Sequence, residues 1–285
     1  MTDLLASTPR APVHIAAAQA RSIPGDIGAN VATVAELTEA AANEGARLVV
    51  FPEKFLSGYE PQLIAGDPET YAIGRDDSRV EPIAAACRRR NITAVVGAAT
   101  RDERGLSNSC LVFGPDGDLV ARYDKQYLYP GESDLYRSGD SGCILEIGGW
   151  RLGLAVCYDA GFPEHARQAA RSGCHAYIVS ALFSVAVGYH ESRTWLPARA
   201  LDNTVYVVMA NHVGSTGGYD TCGSSAAWGP NGDLLSEAGR QAQSIVVVEL
   251  DPNIIADVRA RATVLVDSSR FAPAANAKYA LHQLG

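Results

Sequence analysis

Three residues capable of acyl-transfer chemistry each follow an apolar segment of the chain. Cys157 comes directly after the apolar segment 152–156 and precedes a turn and Pro163, a residue that suits the first turn of a helix. Glu53 ends the run Leu-Val-Val-Phe-Pro, and Lys125 follows a segment with the pattern of a β-hairpin. A cysteine between a strand and a helix N-terminus is in an environment that favours the thiolate.

A cysteine, a carboxylate and a lysine are the residue types that nucleophilic attack on an amide requires. The cysteine attacks as the thiolate, so Glu53 is the candidate base that accepts its proton. The developing oxyanion requires fixed positive charge, which Lys125 and the backbone N–H of Tyr158 can supply together. The same carboxylate can then protonate the leaving amine and activate water against the thioester. Taken alone, Cys157 has the ordinary alternative of a core thiol, Glu53 that of a loop carboxylate and Lys125 that of a surface lysine. The prediction rests on the combination of the three residues.

The elements around these residues indicate a parallel βαβ unit in the first part of the chain. Val13 to Gln19 is an apolar strand, Asp26 to Gly45 has helical spacing, and a short apolar strand then ends before Glu53. Ligands gather at the carboxyl ends of parallel strands, which is where this order places Glu53. The turns Pro115-Asp-Gly117 and Pro230-Asn-Gly232 lie at similar places in the two halves and indicate an internal pseudo-repeat of two layered sheets.

The later part of the chain predicts further elements with less regular patterns. Glu191 to Asn203 is expected to be a helix that Pro197 kinks or starts. Asp220 to Trp228 is expected to be one strand, and Ala262 to Gly285 shows little helical periodicity. No polar low-complexity linker divides the chain, so we expect one domain.

Composition narrows the class of protein. Apolar residues make up 47% and charged residues 20%, and the net charge of −8 argues against a nucleic-acid or anionic-membrane partner. No apolar run approaches the roughly 18 residues of a transmembrane helix, and residues 1–12 lack the pattern of a signal peptide.

The six cysteines form no CxxC pair, which favours reduced thiols and a cytoplasmic location. The histidines show no metal-ligand grouping, so neither a metal nor a cofactor is expected. Lysine is scarce, and a lone lysine is a candidate for a site that needs a compact ammonium.

Taken together, the motifs resemble those of the nitrilase superfamily of carbon–nitrogen hydrolases. They run in order from about residue 13 to residue 261. The residues that carry the resemblance are Phe-Pro-Glu53, Tyr-Asp-Lys125-Gln-Tyr-Leu, Gly139-Asp140, Cys157-Tyr-Asp-Ala-Gly-Phe-Pro-Glu164, Ala198-Arg-Ala-Leu-Asp-Asn203, Ala210-Asn211, Gly223-Ser-Ser225 and Pro230-Asn-Gly232.

The resemblance implies an α/β fold, a four-layer αββα sandwich of two mixed β-sheets flanked by helices, in a domain over residues 13–262. Residues 1–12 are then expected to be a flexible N-terminal tail, and residues 263–285 a C-terminal tail and a candidate element of a dimer interface. The resemblance also implies a homodimer or higher homo-oligomer in which the four layers become eight. It implies the Glu53, Lys125 and Cys157 triad and a second glutamate, Glu132, which orients the lysine and the substrate.

Within the superfamily, the Tyr-Asp pair after Cys157 resembles the amidase and carbamoylase branches. We expect hydrolysis of a small-molecule primary amide with release of ammonia, and an N-carbamoyl amine hydrolase or a nitrilase remains an alternative. The alternative to an enzyme is a catalytically idle binding or scaffold protein on the same fold. Gly161 departs from the ω-amidase group, which commonly carries arginine at that position. Arg193 is a candidate clamp for a substrate carboxylate. The candidate substrate-binding residues are Tyr59, Tyr158, Ala181, Phe183, His190 and Trp195.

Overall fold

The computed structural model describes residues 7–270. The strands are β1 (Val13–Gln19), β2 (Leu48–Val50), β3 (Thr93–Asp102), β4 (Gly105–Phe113), β5 (Leu119–Asp124), β6 (Ile144–Ile147), β7 (Trp150–Val156), β8 (Ala176–Ala181), β9 (Tyr206–Asn211), β10 (Val213–Thr216), β11 (Tyr219–Cys222), β12 (Ala226–Trp228), β13 (Leu234–Glu237) and β14 (Ser244–Leu250). The α-helices are α1 (Ile27–Asn43), α2 (Pro61–Gly66), α3 (Pro68–Tyr71), α4 (Glu81–Arg90), α5 (Pro163–Arg171), α6 (Val187–Asn203), α7 (Pro252–Arg261) and α8 (Val264–Arg270).

Two six-stranded mixed sheets have the same pattern of strand directions. The first sheet has the order β14-β1-β2-β3-β4-β5 and the second has the order β13-β12-β9-β8-β7-β6. Strands β1, β2 and β3 are mutually parallel in the first sheet, as β7, β8 and β9 are in the second, and each set has antiparallel neighbours on both sides. This correspondence agrees with the pseudo-repeat predicted from the two similar turns, which join β4 to β5 and β12 to β13.

Three apolar clusters separate four layers. The central cluster joins the inner faces of the two sheets and includes Leu48, Val112, Trp150 and Ile178. A second cluster packs the first sheet against α1 and α4, and a third packs the second sheet against α5 and α6. The αββα sandwich expected from the sequence is therefore confirmed. Within residues 7–270, none of the helices combines the length and the apolar character needed to cross a membrane.

The two predicted tails lie partly outside the described residues. Near the N-terminus, the backbone carbonyl of Ala11 accepts a hydrogen bond of 2.8 Å from the indole N–H of Trp150. Near the C-terminus, α8 packs against α5 and α6 and buries Leu265. The tail expected from residue 263 thus begins with helix α8, which the burial of Leu265 and hydrogen bonds from Arg171 to Ser268 hold on the second sheet's helices. The rest of the two predicted tails, residues 1–6 and 271–285, lies outside the residues that the structure describes.

Candidate active site

Three strand ends bring the predicted triad to one cavity. Glu53 follows β2 and Lys125 follows β5 in the first sheet, while Cys157 follows β7 in the second sheet. All three side chains line a cavity of about 70 Å³. Glu132 lies behind the cavity wall in a short 3-10 turn and is 6% exposed. The sandwich therefore positions the nucleophile on one sheet and the base and the lysine on the other.

Lys125 is held between two carboxylates. Its Nζ donates hydrogen bonds of 2.8 Å to Oε1 of Glu53 and 2.6 Å to Oε2 of Glu132. Burial alone would lower the pKa of Lys125, but the charges of Glu53 and Glu132 outweigh it and raise the pKa above its ordinary value. The lysine is therefore a fixed ammonium whose direction is set by two anions.

A second buried lysine, which the sequence did not single out as functional, completes the charge cluster. Nζ of Lys54 donates a hydrogen bond of 2.8 Å to Oε1 of Glu132 and lies 3.3 Å from the centre of the Tyr59 ring. Burial lowers the pKa of Lys54 more than the charges of Glu132 and Glu53 raise it. Burial would raise the pKa of Glu132, but Lys125 and Lys54 together hold it well below the ordinary carboxyl value.

Glu53 has one engaged carboxylate oxygen and one free oxygen. Oε1 accepts hydrogen bonds from Lys125 at 2.8 Å and from Nδ2 of Asn108 at 2.7 Å. Oε2 is buried and has no hydrogen-bond partner among the described residues. The backbone is also fixed, because the Glu53 N–H donates to the carbonyl of Ala181 at 3.3 Å. The Glu53 carbonyl accepts a hydrogen bond of 2.7 Å from Nε2 of His212. Burial lowers the pKa of His212 to about 4, so the ring that donates this bond is neutral.

The turn at Glu53 depends on a close backbone approach that a glycine permits. A Cβ atom at Gly97 on β3 would lie 2.1 Å from the carbonyl oxygen of Pro52 and 2.8 Å from Cα of Glu53. Both neighbours are backbone atoms, so a methyl group at this position must displace the turn that carries the base.

We expect Gly97→Ala to lower the free energy of unfolding by about 2 kcal/mol, because overpacking at a rigid backbone contact costs energy. Denaturant titration measures the effect. Gly142→Ala is the matched control, since no atom lies within 4 Å of a Cβ there. Equal stability of the two variants would contradict the proposed close approach.

Burial around Cys157 opposes the thiolate, which its position between a strand and a helix was expected to favour. Its backbone has φ of 45°, in the left-handed region that costs energy for a residue other than glycine. Its Sγ donates to the carbonyl of Leu182 at 3.3 Å. Burial and, after it, the charge of Glu53 raise the pKa of Cys157 well above its ordinary value, against the opposing effect of Lys125.

Asp159 connects the nucleophile to the segment that carries Lys125. Its carboxylate accepts hydrogen bonds from the backbone N–H of Val156 at 2.9 Å and from that of Tyr127 at 2.8 Å. Val156 directly precedes Cys157, and Tyr127 lies two residues after Lys125. One buried side chain thus ties the ends of two strands from different sheets, which fixes the spacing of the nucleophile and the lysine.

The predicted substrate-binding residues divide into two groups. Those that line the cavity are Tyr59, Tyr158, Phe183 and Trp195. Ala181 and His190 do not line it. Ala181 is buried in β8 and offers its carbonyl to Glu53, while His190 is exposed on α6. The reason is local geometry: Ala181 still belongs to the strand, and the cavity begins only at Leu182.

Helix α6 differs from its predicted start. It begins at Val187, one turn before Glu191, and Gly188 in this extra turn lines the cavity together with Glu191. Arg193 lies outside the wall and donates hydrogen bonds of 2.7 Å to Glu237 and to the carbonyl of Ser224. It is therefore engaged elsewhere and is not positioned as the carboxylate clamp expected from the sequence. The remaining wall residues are Tyr129, Leu182, Ser184, Gly188, Glu191 and Tyr219.

Comparison with known proteins agrees with this geometry. Residues 14–260 match the carbon–nitrogen hydrolase family. Omega-amidase NIT2 from Danio rerio is 31% identical over 241 residues, which cover 81% of this chain and 85% of that protein. Its counterpart from Homo sapiens is 31% identical over 252 residues, covering 85% and 88%. A mutant of the Nesterenkonia AN1 amidase from the nitrilase superfamily superposes with a TM-score of 0.77 at 29% identity, over 87% of this chain and 95% of that one. The chain therefore belongs to the carbon–nitrogen hydrolase family and to the nitrilase superfamily that its motifs resemble.

Proposed function

We propose that this protein is an amidase that hydrolyses a small linear primary amide to a carboxylate and ammonia. The reaction passes through a thioester on Cys157. One observation carries the proposal: Glu53 holds one oxygen against Lys125 and leaves the other oxygen buried and unpartnered beside the cavity that contains Cys157. A buried carboxylate oxygen without a partner is costly, and a thiol proton or a substrate proton would satisfy it.

Acylation begins with transfer of the Cys157 proton to Glu53. The sulfur then attacks the amide carbon, and the carbonyl electron pair moves onto oxygen, where the Lys125 ammonium stabilises the charge. Collapse of this intermediate breaks the carbon–nitrogen bond, and the protonated Glu53 delivers its proton to the leaving nitrogen. The products of this half-reaction are the thioester and ammonia.

Deacylation uses the same groups with water as the nucleophile. Glu53 takes a proton from water, the hydroxide adds to the thioester carbon, and the carbon–sulfur bond breaks. The proton held by Glu53 returns to the sulfur, and the carboxylic acid product ionises in solution. Since the thiol starts and ends protonated, the raised pKa of Cys157 fits a mechanism in which the thiolate forms only in the encounter with substrate.

Related structures support this chemistry for the superfamily. One mutant of the Nesterenkonia amidase is described in complex with butyramide. Another is described with the acetamide moiety of fluoroacetamide added covalently at the active-site cysteine. These descriptions belong to that enzyme, and they favour butyramide as the first substrate to try here.

The test combines turnover with location of the adduct. Ammonia release is measured with butyramide, succinamate, butyronitrile and an N-carbamoyl amine, and the butyramide reaction is quenched in acid for peptide mapping. We expect turnover of amides and a butyryl group on Cys157. An adduct on another residue, or release of ammonia from the nitrile or the carbamoyl compound alone, would overturn the amidase assignment. No turnover of any compound would favour a non-catalytic scaffold.

A further inference from the structure

The wall of the active-site cavity combines aromatic rings with one carboxylate that the reaction does not use. Six rings line the cavity, from Tyr59, Tyr129, Tyr158, Phe183, Trp195 and Tyr219. Beyond Glu53 and Lys125, the charged wall residue among those described is Glu191. Aromatic faces and a carboxylate are the groups that recognise an organic cation.

Glu191 is placed to interact with a ligand rather than with the protein. It is partly buried on the first turns of α6, and burial raises its pKa more than the neighbouring His190 lowers it. No hydrogen bond or salt bridge from another side chain within residues 7–270 engages its carboxylate. A partly desolvated carboxylate in a cavity gains stability from an incoming positive charge.

Cys157, Tyr129 and Glu191 all line the same cavity. Burial and the charges of Tyr219, Glu191 and Cys157, in that order, raise the pKa of Tyr129. The Tyr129 ring contacts Tyr158 edge to face, with 5.2 Å between centroids, and Tyr59 contacts Tyr219 in the same way at 5.8 Å. A short substrate with its amide at Cys157 would therefore meet these rings and Glu191 as the other walls of the cavity.

The same wall offers little to a substrate that ends in a carboxylate. Arg193 is bound to Glu237, and Lys54 is bound to Glu132 behind the wall. Gly161 contributes no side chain, and a Cβ there would lie 3.3 Å from the Trp195 ring. An anionic end group would meet Glu191, and the described wall residues offer no cation besides the catalytic Lys125 to compensate it, which costs affinity.

We propose that the preferred substrate is a short amide whose far end carries an ammonium group, and that Glu191 is the residue that selects it. This inference rests on the proposed amidase function. It separates this protein from the omega-amidases that it resembles in sequence, because the expected charge at the far end of the substrate is reversed.

The test compares three amides of nearly equal length. γ-Aminobutyramide carries an ammonium, valeramide carries a methyl group in its place, and succinamate carries a carboxylate. We expect kcat/KM at low ionic strength to be about tenfold higher for γ-aminobutyramide than for valeramide, with succinamate the poorest, as one partly screened ion pair provides. Glu191→Gln should reduce the preference for ammonium over methyl about tenfold, and Glu191→Lys should make succinamate better than γ-aminobutyramide.

Asp202→Asn is the matched control, since it removes one negative charge from the exposed face of the same helix. Its preference ratio should equal that of the wild type. A wild-type preference for valeramide or succinamate, or a ratio unchanged by Glu191→Gln, would overturn this inference while leaving the amidase function intact. Absence of ammonia from all three amides would instead overturn the proposed function itself.

Discussion

Glu53→Gln should lower kcat/KM for butyramide by about 10⁴-fold, the upper end of the range for one general acid–base group. The expectation is this large because the same carboxylate moves a proton in both half-reactions. Glutamine keeps the carbonyl oxygen that Lys125 and Asn108 bind, but it replaces the unpartnered Oε2 with an NH₂ group that cannot accept a proton. Steady-state ammonia release measures the loss.

The same variant gives a readout that a structural role would not produce. The charge of Glu53 is the largest cause, after burial, of the raised pKa of Cys157. Removing that charge should lower the pKa of Cys157, which ultraviolet titration of the thiolate detects against a Cys157→Ala background. The variant should therefore have a more acidic nucleophile and a slower reaction. Faster or unchanged turnover would contradict the role of Glu53 as the base.

Glu69→Gln serves as the control for this experiment. Glu69 is exposed on α3 and pairs with Arg101 far from the cavity wall. Its replacement removes one carboxylate in the same way and should leave both turnover and the thiol titration as in the wild type.

The positions of the triad could be predicted from the sequence because each member follows a predicted strand. A strand of three to seven buried residues fixes its own direction, so the first polar residue after it must lie at the sheet edge. This holds for Glu53 after β2 and Cys157 after β7, whereas β5 has one fully buried residue, and Lys125 was predicted from the hairpin pattern instead. The order of the layers could be predicted in a similar way, because the apolar periodicity of the strands and helices identifies the faces that are buried in the core.

Tertiary contacts decided what the sequence pattern could not. The expected strand from Asp220 to Trp228 is divided, because Gly223 and Ser224 have φ of 56° and 55° and turn the chain from the β10–β11 hairpin into the second sheet. Helix α6 starts before Glu191 although no side chain caps it, so its first turn is held by packing around Gly188 rather than by a local signal.

The charge cluster behind the triad was the least predictable part of the site. Lys54 follows Glu53 directly and would point away from it in a strand, but φ of 48° at Lys54 turns it inward. Asn108 is one position in the continuously buried part of β4, where alternation gives no face preference. The scarcity of lysine was the available signal, and it applied to Lys54 as much as to Lys125.

Lys54→Met should lower kcat/KM about 100-fold and move the acid limb of its pH profile to higher pH by about one unit. In the wild type, Lys54 and Lys125 together hold the pKa of Glu132 below its ordinary value against burial. Without Lys54, the two carboxylates share one ammonium, the pKa of Glu132 rises, and Lys125 is drawn toward Glu132 and away from the substrate oxygen. The pH dependence of kcat/KM for butyramide measures both effects.

Stability should follow the same electrostatics. Breaking a buried ion pair should lower the free energy of unfolding of Lys54→Met by about 3 kcal/mol at neutral pH. Because the pKa of Glu132 is depressed in the folded state, this contribution is fully present above the ordinary carboxyl pKa of about 4.3 and is lost as the pH falls below it. The stability difference between wild type and variant should therefore shrink in acid.

Tyr59→Phe tests whether Lys54 acts on Glu132 through its positive charge or only as a hydrogen-bond donor. The Tyr59 hydroxyl donates to the same Oε1 of Glu132 at 3.0 Å, so its removal deletes a donor without deleting a cation. If the cation is what matters, Lys54→Met displaces the acid limb and Tyr59→Phe does not. Equal displacement in both variants would mean that Lys54 acts as a hydrogen-bond donor to Glu132 and not through its charge. A uniform loss of rate with no displacement in Lys54→Met would mean that Lys54 only fills space behind Glu132. The buried lysine would then owe its position to packing against the Tyr59 ring and not to the charge balance of the two glutamates.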